Sequence, residues 1–106
     1  MKYRKINAII NVNSLEAVEE ALKRIETIQV AITRVKGYGD YKNFYSPEWI
    51  STHARVEVFA HSTQAEQVVE AIMQAAYLGL NSDGMIAVLP VEEIYRIRDH
   101  MPRLAP

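Results

Sequence analysis

The hydropathy of this chain alternates twice between a period of two and a period of 3.6. Ile6, Ala8, Ile10 and Val12 fall on one side of an extended segment, with Lys5, Asn7 and Asn11 on the other, which reads as a strand with one buried face. Ser14 stands where a helix cap is expected. In the helix it would open, Leu15, Val18, Leu22 and Ile25 share one face, while Glu16, Glu19, Glu20, Lys23 and Arg24 stay wet. A second strand follows from about Gln29 to Lys36. Alternation resumes at His53, with Ala54, Val56, Val58 and Ala60 facing one way and Arg55, Glu57, Phe59 and His61 the other. Thr63 and Glu66 have capping-box spacing before a helix with the stripe Val68, Val69, Ile72 and Ala76, ended by Gly79. Asn81-Ser82-Asp83-Gly84 supplies a turn, and Met85 to Leu89 a short apolar strand. Two βαβ halves of this size predict an α+β fold: a ferredoxin-like βαββαβ sandwich, one antiparallel sheet with both helices on one face.

At 106 residues and 49% hydrophobic, the chain suits a single domain over 1–106 with one core. It has no cysteine, so neither disulfides nor thiolate chemistry support it, and packing alone must hold the fold. Twelve basic against thirteen acidic residues give no broad field for nucleic acid or a membrane surface. Any charged ligand must be met locally. The basic start, Met1-Lys2-Tyr3-Arg4-Lys5, leads into a strand interrupted by Asn7, Asn11 and Asn13, unlike the apolar core of a signal peptide, and no apolar run is long enough to span a bilayer. The expected place of action is the cytoplasm. A sandwich with helices on one face leaves the other uncovered. Thr33, Arg55, Glu57 and Phe59 belong to that side, a mixture too apolar for simple solvation and too charged for a monomer core. The expectation is a closed oligomer.

Residues 37–52 show neither period and contain two Gly and one Pro. A loop this long in a small domain is usually functional. Gly37 and Gly39 free the backbone at its start, and Asp83-Gly84 marks a second turn. Arg96 and Arg98, at i and i+2, point the same way if their segment is extended, and two guanidinium groups on one face suit an anion. As bare residues these features also fit solvated charges and ordinary turns.

Four segments, in order, carry a family resemblance: Lys5-Ile6-Asn7-Ala8-Ile9-Ile10, Thr33-Arg34-Val35-Lys36-Gly37-Tyr38-Gly39, Arg55-Val56-Glu57-Val58, and the run from Asp83-Gly84-Met85 to Arg96-Ile97-Arg98. Through them the chain resembles the PII signal-transduction proteins over nearly its whole length. The resemblance implies a homotrimer whose three intersubunit clefts each bind an adenine nucleotide. It also implies a T-loop, here about 37–52, that docks on a membrane transporter or an enzyme, and a C-terminal tail, about 99–106. The implied nucleotide-binding residues are Gly37, Tyr38, Gly39, Glu57, Val58, Phe59, Asp83, Gly84, Met85, Arg96 and Arg98. Lys36 with the two arginines would hold a small anion. Glu57 reads equally as a cross-strand ion-pair partner, and Val58 and Phe59 as core.

The chain departs from the family at the phosphates. Met85 stands where the family carries a lysine after the Asp-Gly turn, Asp40 replaces its arginine after Gly39, and Tyr41 its glutamine. A thioether cannot neutralise phosphate, and a carboxylate repels it, so ADP or AMP is expected to bind ahead of magnesium-ATP. Sensing of 2-oxoglutarate is not expected, nor is uridylylation, since the shorter loop lacks the modified tyrosine's context. These departures are similar to those of divergent PII-like proteins associated with bicarbonate transport, carboxysomes or metal efflux, which makes bicarbonate a candidate second ligand.

An enzyme is a rival reading. Asp40, Glu48, Glu57, Asp83, Glu92, Glu93, His53, His61 and His100 offer acids and bases, but at no motif spacing. His53 and His61 are roughly 26 Å apart along one strand, at about 3.3 Å per residue, so they cannot grip one metal within a subunit. No enzyme and no metal are expected. A trimeric metal-responsive protein of the CutA type remains the alternative, as does an interaction module without a small ligand, for which the loop aromatics Tyr38, Tyr41, Phe44, Tyr45 and Trp49 are suited.

Overall fold

The computed structural model describes residues 1–37 and 51–100. The elements run β1 (Tyr3–Asn11), α1 (Leu15–Leu22), β2 (Gln29–Gly37), β3 (Ser51–His61), α2 (Ser62–Ala76) and β4 (Gly84–Val91), with 3₁₀ turns at Val12–Ser14, Asn81–Asp83 and Ile97–Asp99. The four strands form one antiparallel sheet in the order β2-β3-β1-β4. This is the ferredoxin-like arrangement that the two alternating halves predict.

Period-two patterning decides which side is buried. Residues directly opposite in an antiparallel pair share a face. Ile6 faces Val58, Ala8 faces Val56 and Ile10 faces Ala54, and all six are fully buried. Val18 and Leu22 of α1 and Ala65, Val68, Ile72 and Ala76 of α2 close over them. Each fully buried branched side chain contributes on the order of 1.5–3 kcal/mol, which is why the 13 apolar residues buried among those described suffice to order the domain without cross-links. α2 packs on β1 and β3 and against α1. The flanking strands are poorly covered: Val30 and Ile32 of β2 and Val88 of β4 share the helix side by register yet stay exposed.

Local expectations fail where side-chain capping was inferred. Ser14 does occupy the N-cap of α1, but its hydroxyl makes no cap bond and is buried without a partner among the described residues. The chain turns earlier, where Asn13 N donates to Asn11 Oδ1 at 2.9 Å, and this bend takes Val12 out of the strand. α2 begins at Ser62 with His61 as its cap, so Thr63 lies inside the helix and the Thr63/Glu66 capping box does not form. α2 ends at Ala76, with Tyr77 as its C-cap and Gly79 two residues beyond at φ +77°.

Candidate functional site

Pairing fixes where the candidate residues sit. Gly37 ends β2 opposite Ser51, and Gly84 opens β4 opposite Ile10, which itself pairs with Ala54. Ala54 in turn pairs with Arg34, three residues before Gly37. The two glycines therefore lie toward the same end of the sheet but on opposite edge strands, about 14 Å apart laterally for three strand spacings.

Gly84 is dictated by that position. Its φ of +103° excludes ordinary side chains, and a Cβ there would lie 1.7 Å from the Ile9 carbonyl oxygen. Close backbone approach of β4 to β1, rather than a simple turn, demands glycine. Asp83 beside it faces inward. Its Oδ2 accepts the N–H groups of Leu78 and Gly79 at 2.9 Å and Leu80 at 3.3 Å, tying the chain after α2 to the start of β4. Through Oδ2 the carboxylate orders the loop that presents Gly84, while Oδ1 is buried with no hydrogen-bond partner among the described residues. Met85 is 64% exposed and turns to the uncovered face, opposite Ile9.

That face is assembled by register into rows: Gln29, Phe59, Lys5 and Leu89; Ala31, Glu57, Asn7 and Ala87; Thr33, Arg55, Ile9 and Met85. Lys5 Nζ lies 3.4 Å from Glu57 Oε2 and 5.8 Å from the Phe59 ring centroid. Glu57 therefore holds a cross-strand ion pair, with Lys5 rather than Arg55. Val58 belongs to the opposite side, fully buried under the helices. Its side chain cannot flank a ligand, because alternation places it in the core; Phe59 alone of the pair faces outward.

The arginine pair differs from the sequence expectation. Arg96 has extended dihedrals and caps the 3₁₀ turn Ile97–Asp99, so Arg98 lies within that turn. The two arginines therefore do not lie on one extended segment, and the i, i+2 geometry that would give them a shared direction does not hold. β4 also carries the chain away from Gly84. Its eight residues finish opposite Tyr3, about 25 Å from where they start. On the tail beyond, Tyr95 and Ile97 are 86% and 93% exposed.

Tyr38 and Gly39, the rest of the T-loop through residue 50, and residues 101–106 of the tail lie outside the described residues; Lys36 and Gly37 are described as the end of β2. His53 and His61 stand near opposite ends of β3. Among the described residues no three His, Cys, Asp or Glu side chains gather as metal ligands, and no helix is long and apolar enough to cross a membrane.

Comparisons with known proteins agree with this arrangement. The family model for nitrogen regulatory protein P-II matches residues 3–101. The chain is similar to the P-II proteins of Azospirillum brasilense, 36% identical, and Rhizobium meliloti (strain 1021), 37% identical, each over 90% of this chain and 91% of the relative. Among solved structures, that of Arabidopsis thaliana PII bound to citrate superposes with a TM-score of 0.79 at 28% identity, over 92% of this chain and 85% of that one. With the element order, the strand order and the glycine positions, these matches show that the chain belongs to the nitrogen regulatory protein P-II family of signal-transduction proteins.

Proposed function

We propose that this chain acts as a cytoplasmic homotrimer that binds an adenine nucleotide, ADP or AMP ahead of ATP, in clefts between subunits. Its nucleotide state would be passed through the T-loop at 37–52 to a membrane transporter or an enzyme. The observation that carries the reading is the tail. Tyr95 and Ile97 are almost wholly exposed on a segment that follows the far end of β4 from Gly84. Two such apolar side chains, each flanked by a residue of the Arg96/Arg98 pair, seek cover that this copy does not provide. A neighbouring copy offers it, and the tail then brings both arginines to that neighbour's glycine-bearing sheet end.

In this site Lys36, Gly37, Tyr38 and Gly39 approach the nucleotide from β2 and the loop base. Gly84 and Met85 approach from β4, Glu57 and Phe59 from the open face of β3, and Arg96 and Arg98 take the phosphates. Met85 brings no charge, and Asp40 brings the wrong one, which disfavours a third phosphate. The space this leaves suits a small anion such as bicarbonate beside Lys36, Arg96 and Arg98. The solved structure of Arabidopsis thaliana PII is of that protein bound to citrate.

Calorimetric titration with ADP, AMP and magnesium-ATP, each with and without bicarbonate, tests the reading. ADP or AMP should bind more tightly than magnesium-ATP. Equal or tighter ATP binding refutes the preference, and affinities unchanged by bicarbonate refute the second anion. A protein that sediments as a monomer and takes up no adenylate at millimolar supply refutes the whole proposal.

A further inference from the structure

The loop that joins α2 to β4 holds large apolar side chains out in water. Met73 and Tyr77 are neighbours one turn apart at the end of α2, where Tyr77 N donates to Met73 O at 3.1 Å. Tyr77 is 75% exposed and Leu80 57%, with Met73 and Leu78 about half exposed. The Tyr77 ring leans over Gly79, where an added Cβ would meet its phenol oxygen at 3.7 Å, and Gly79 lies between the two leucines. The four side chains form one patch. No charged residue occurs between Glu70 and Asp83, and the Asp83 carboxylate is turned inward onto the N–H groups of Leu78, Gly79 and Leu80. Those charge-assisted bonds fix the loop backbone, so the leucines are held outward rather than free to fold back. A rigid, uncharged apolar patch of this kind marks a contact surface.

We propose that this patch rests on the headgroup interface of a lipid bilayer. The inference rests on the reading that a trimer docks its T-loops on a partner, and it selects the membrane transporter over the enzyme. Gly84 lies toward the same end of the sheet as Gly37, where the T-loop leaves β2, so docking on a bilayer protein brings the patch against the surrounding lipid. Copies in a closed ring are related by rotation alone, which sets their three patches at one height along the axis. A bilayer offers that plane; a protein would need three matching pockets. Tyrosine places its amphipathic ring at headgroup level, and leucine reaches the acyl boundary beneath. One patch falls in the range of roughly 300–600 Å², below the roughly 800 Å² per partner of a stable protein interface, so a single contact is weak and three together supply avidity. The contact is apolar and needs no basic field, in keeping with the chain's balanced charge.

Flotation of the 106-residue chain with phosphatidylcholine vesicles, with no transporter present, tests this. The wild type should float with them equally at low and high salt, since no charge takes part. The double variant Leu78→Ser/Leu80→Ser removes both side chains but keeps the backbone N–H groups that Asp83 binds, and should lower the lipid partition by at least about tenfold. Should it fail to fold, Tyr77→Ser strips the same patch of its most exposed member. Wild-type protein that does not float overturns the inference in favour of an apolar pocket on a protein, and leaves the nucleotide reading intact, because calorimetry decides that separately. Flotation seen only with phosphatidylglycerol vesicles and lost in high salt also overturns it, by placing the contact on basic residues elsewhere. Substitutions that change the sedimentation of the assembly overturn it in favour of a second copy as the occupant.

Discussion

Replacing Gly84 by alanine tests the close approach of β4 to β1. The added Cβ would stand 1.7 Å from the Ile9 oxygen, 2.8 Å from the Ile9 carbonyl carbon and 3.1 Å from Ile10 Cα. All three are backbone atoms of the central strand, which is paired on both sides and cannot yield. The conformation at φ +103° alone costs on the order of 1–3 kcal/mol for a residue with a side chain. Relieving the clash means peeling the first residues of β4 away, at about 1 kcal/mol for each backbone hydrogen bond lost. Together these predict a loss of about 3–5 kcal/mol, a large share of the ~5–15 kcal/mol typical of a domain. Urea denaturation at fixed protein concentration measures it, and the melting temperature should fall by more than about 10 °C. Gly79→Ala is the internal control. Its φ is +77°, but its Cβ would meet only the Tyr77 ring, at 3.7 Å and beyond, so the backbone term of about 1 kcal/mol stands alone. A Gly84→Ala loss no larger than that of Gly79→Ala refutes the argument.

Removing the Asp83 carboxylate by Asp83→Ala should cost about 1–2 kcal/mol, comparable to losing a helix cap, and speed amide exchange at Leu78, Gly79 and Leu80; unchanged protection there would exclude the tie. Glu57→Gln should lower stability by no more than about 1 kcal/mol, and by less in high salt, because the Lys5 pair is about 30% exposed on both sides. A salt-independent loss would point to a partner other than Lys5. Met85→Lys should raise magnesium-ATP affinity relative to ADP by about tenfold, the worth of one charge-assisted contact. A calorimetric ratio left unchanged would remove Met85 from the phosphate site.

What was legible in the sequence, and what was not, divides by range. The buried faces of β1 and β3 and the stripes of both helices were readable, because Ile6/Ala8/Ile10 and Val18/Leu22 report a local period that the backbone must obey. The Thr63/Glu66 capping box was not legible, since a cap depends on one or two residues of offset that no period fixes, whereas Ser14 stands at the N-cap as its position suggests but makes no side-chain cap bond. The Arg96/Arg98 pair was found as chemistry, but its geometry was not, because a 3₁₀ turn replaces the extended segment that would align the two side chains.

The sequence alone determined the order of elements, the side of each central strand that enters the core, and the family, all of which are properties of residues near one another along the chain. Tertiary structure decided that Gly84 is forced by the Ile9 carbonyl lying across the sheet, that Asp83 is tied to the chain after α2, and that Glu57 meets Lys5. It also left Asn7 Oδ1 without a partner among the described residues. Each of these depends on a neighbour brought close by strand pairing or by a turn of the chain, and such neighbours are set by how the strands and loops close together rather than by any local pattern of hydropathy.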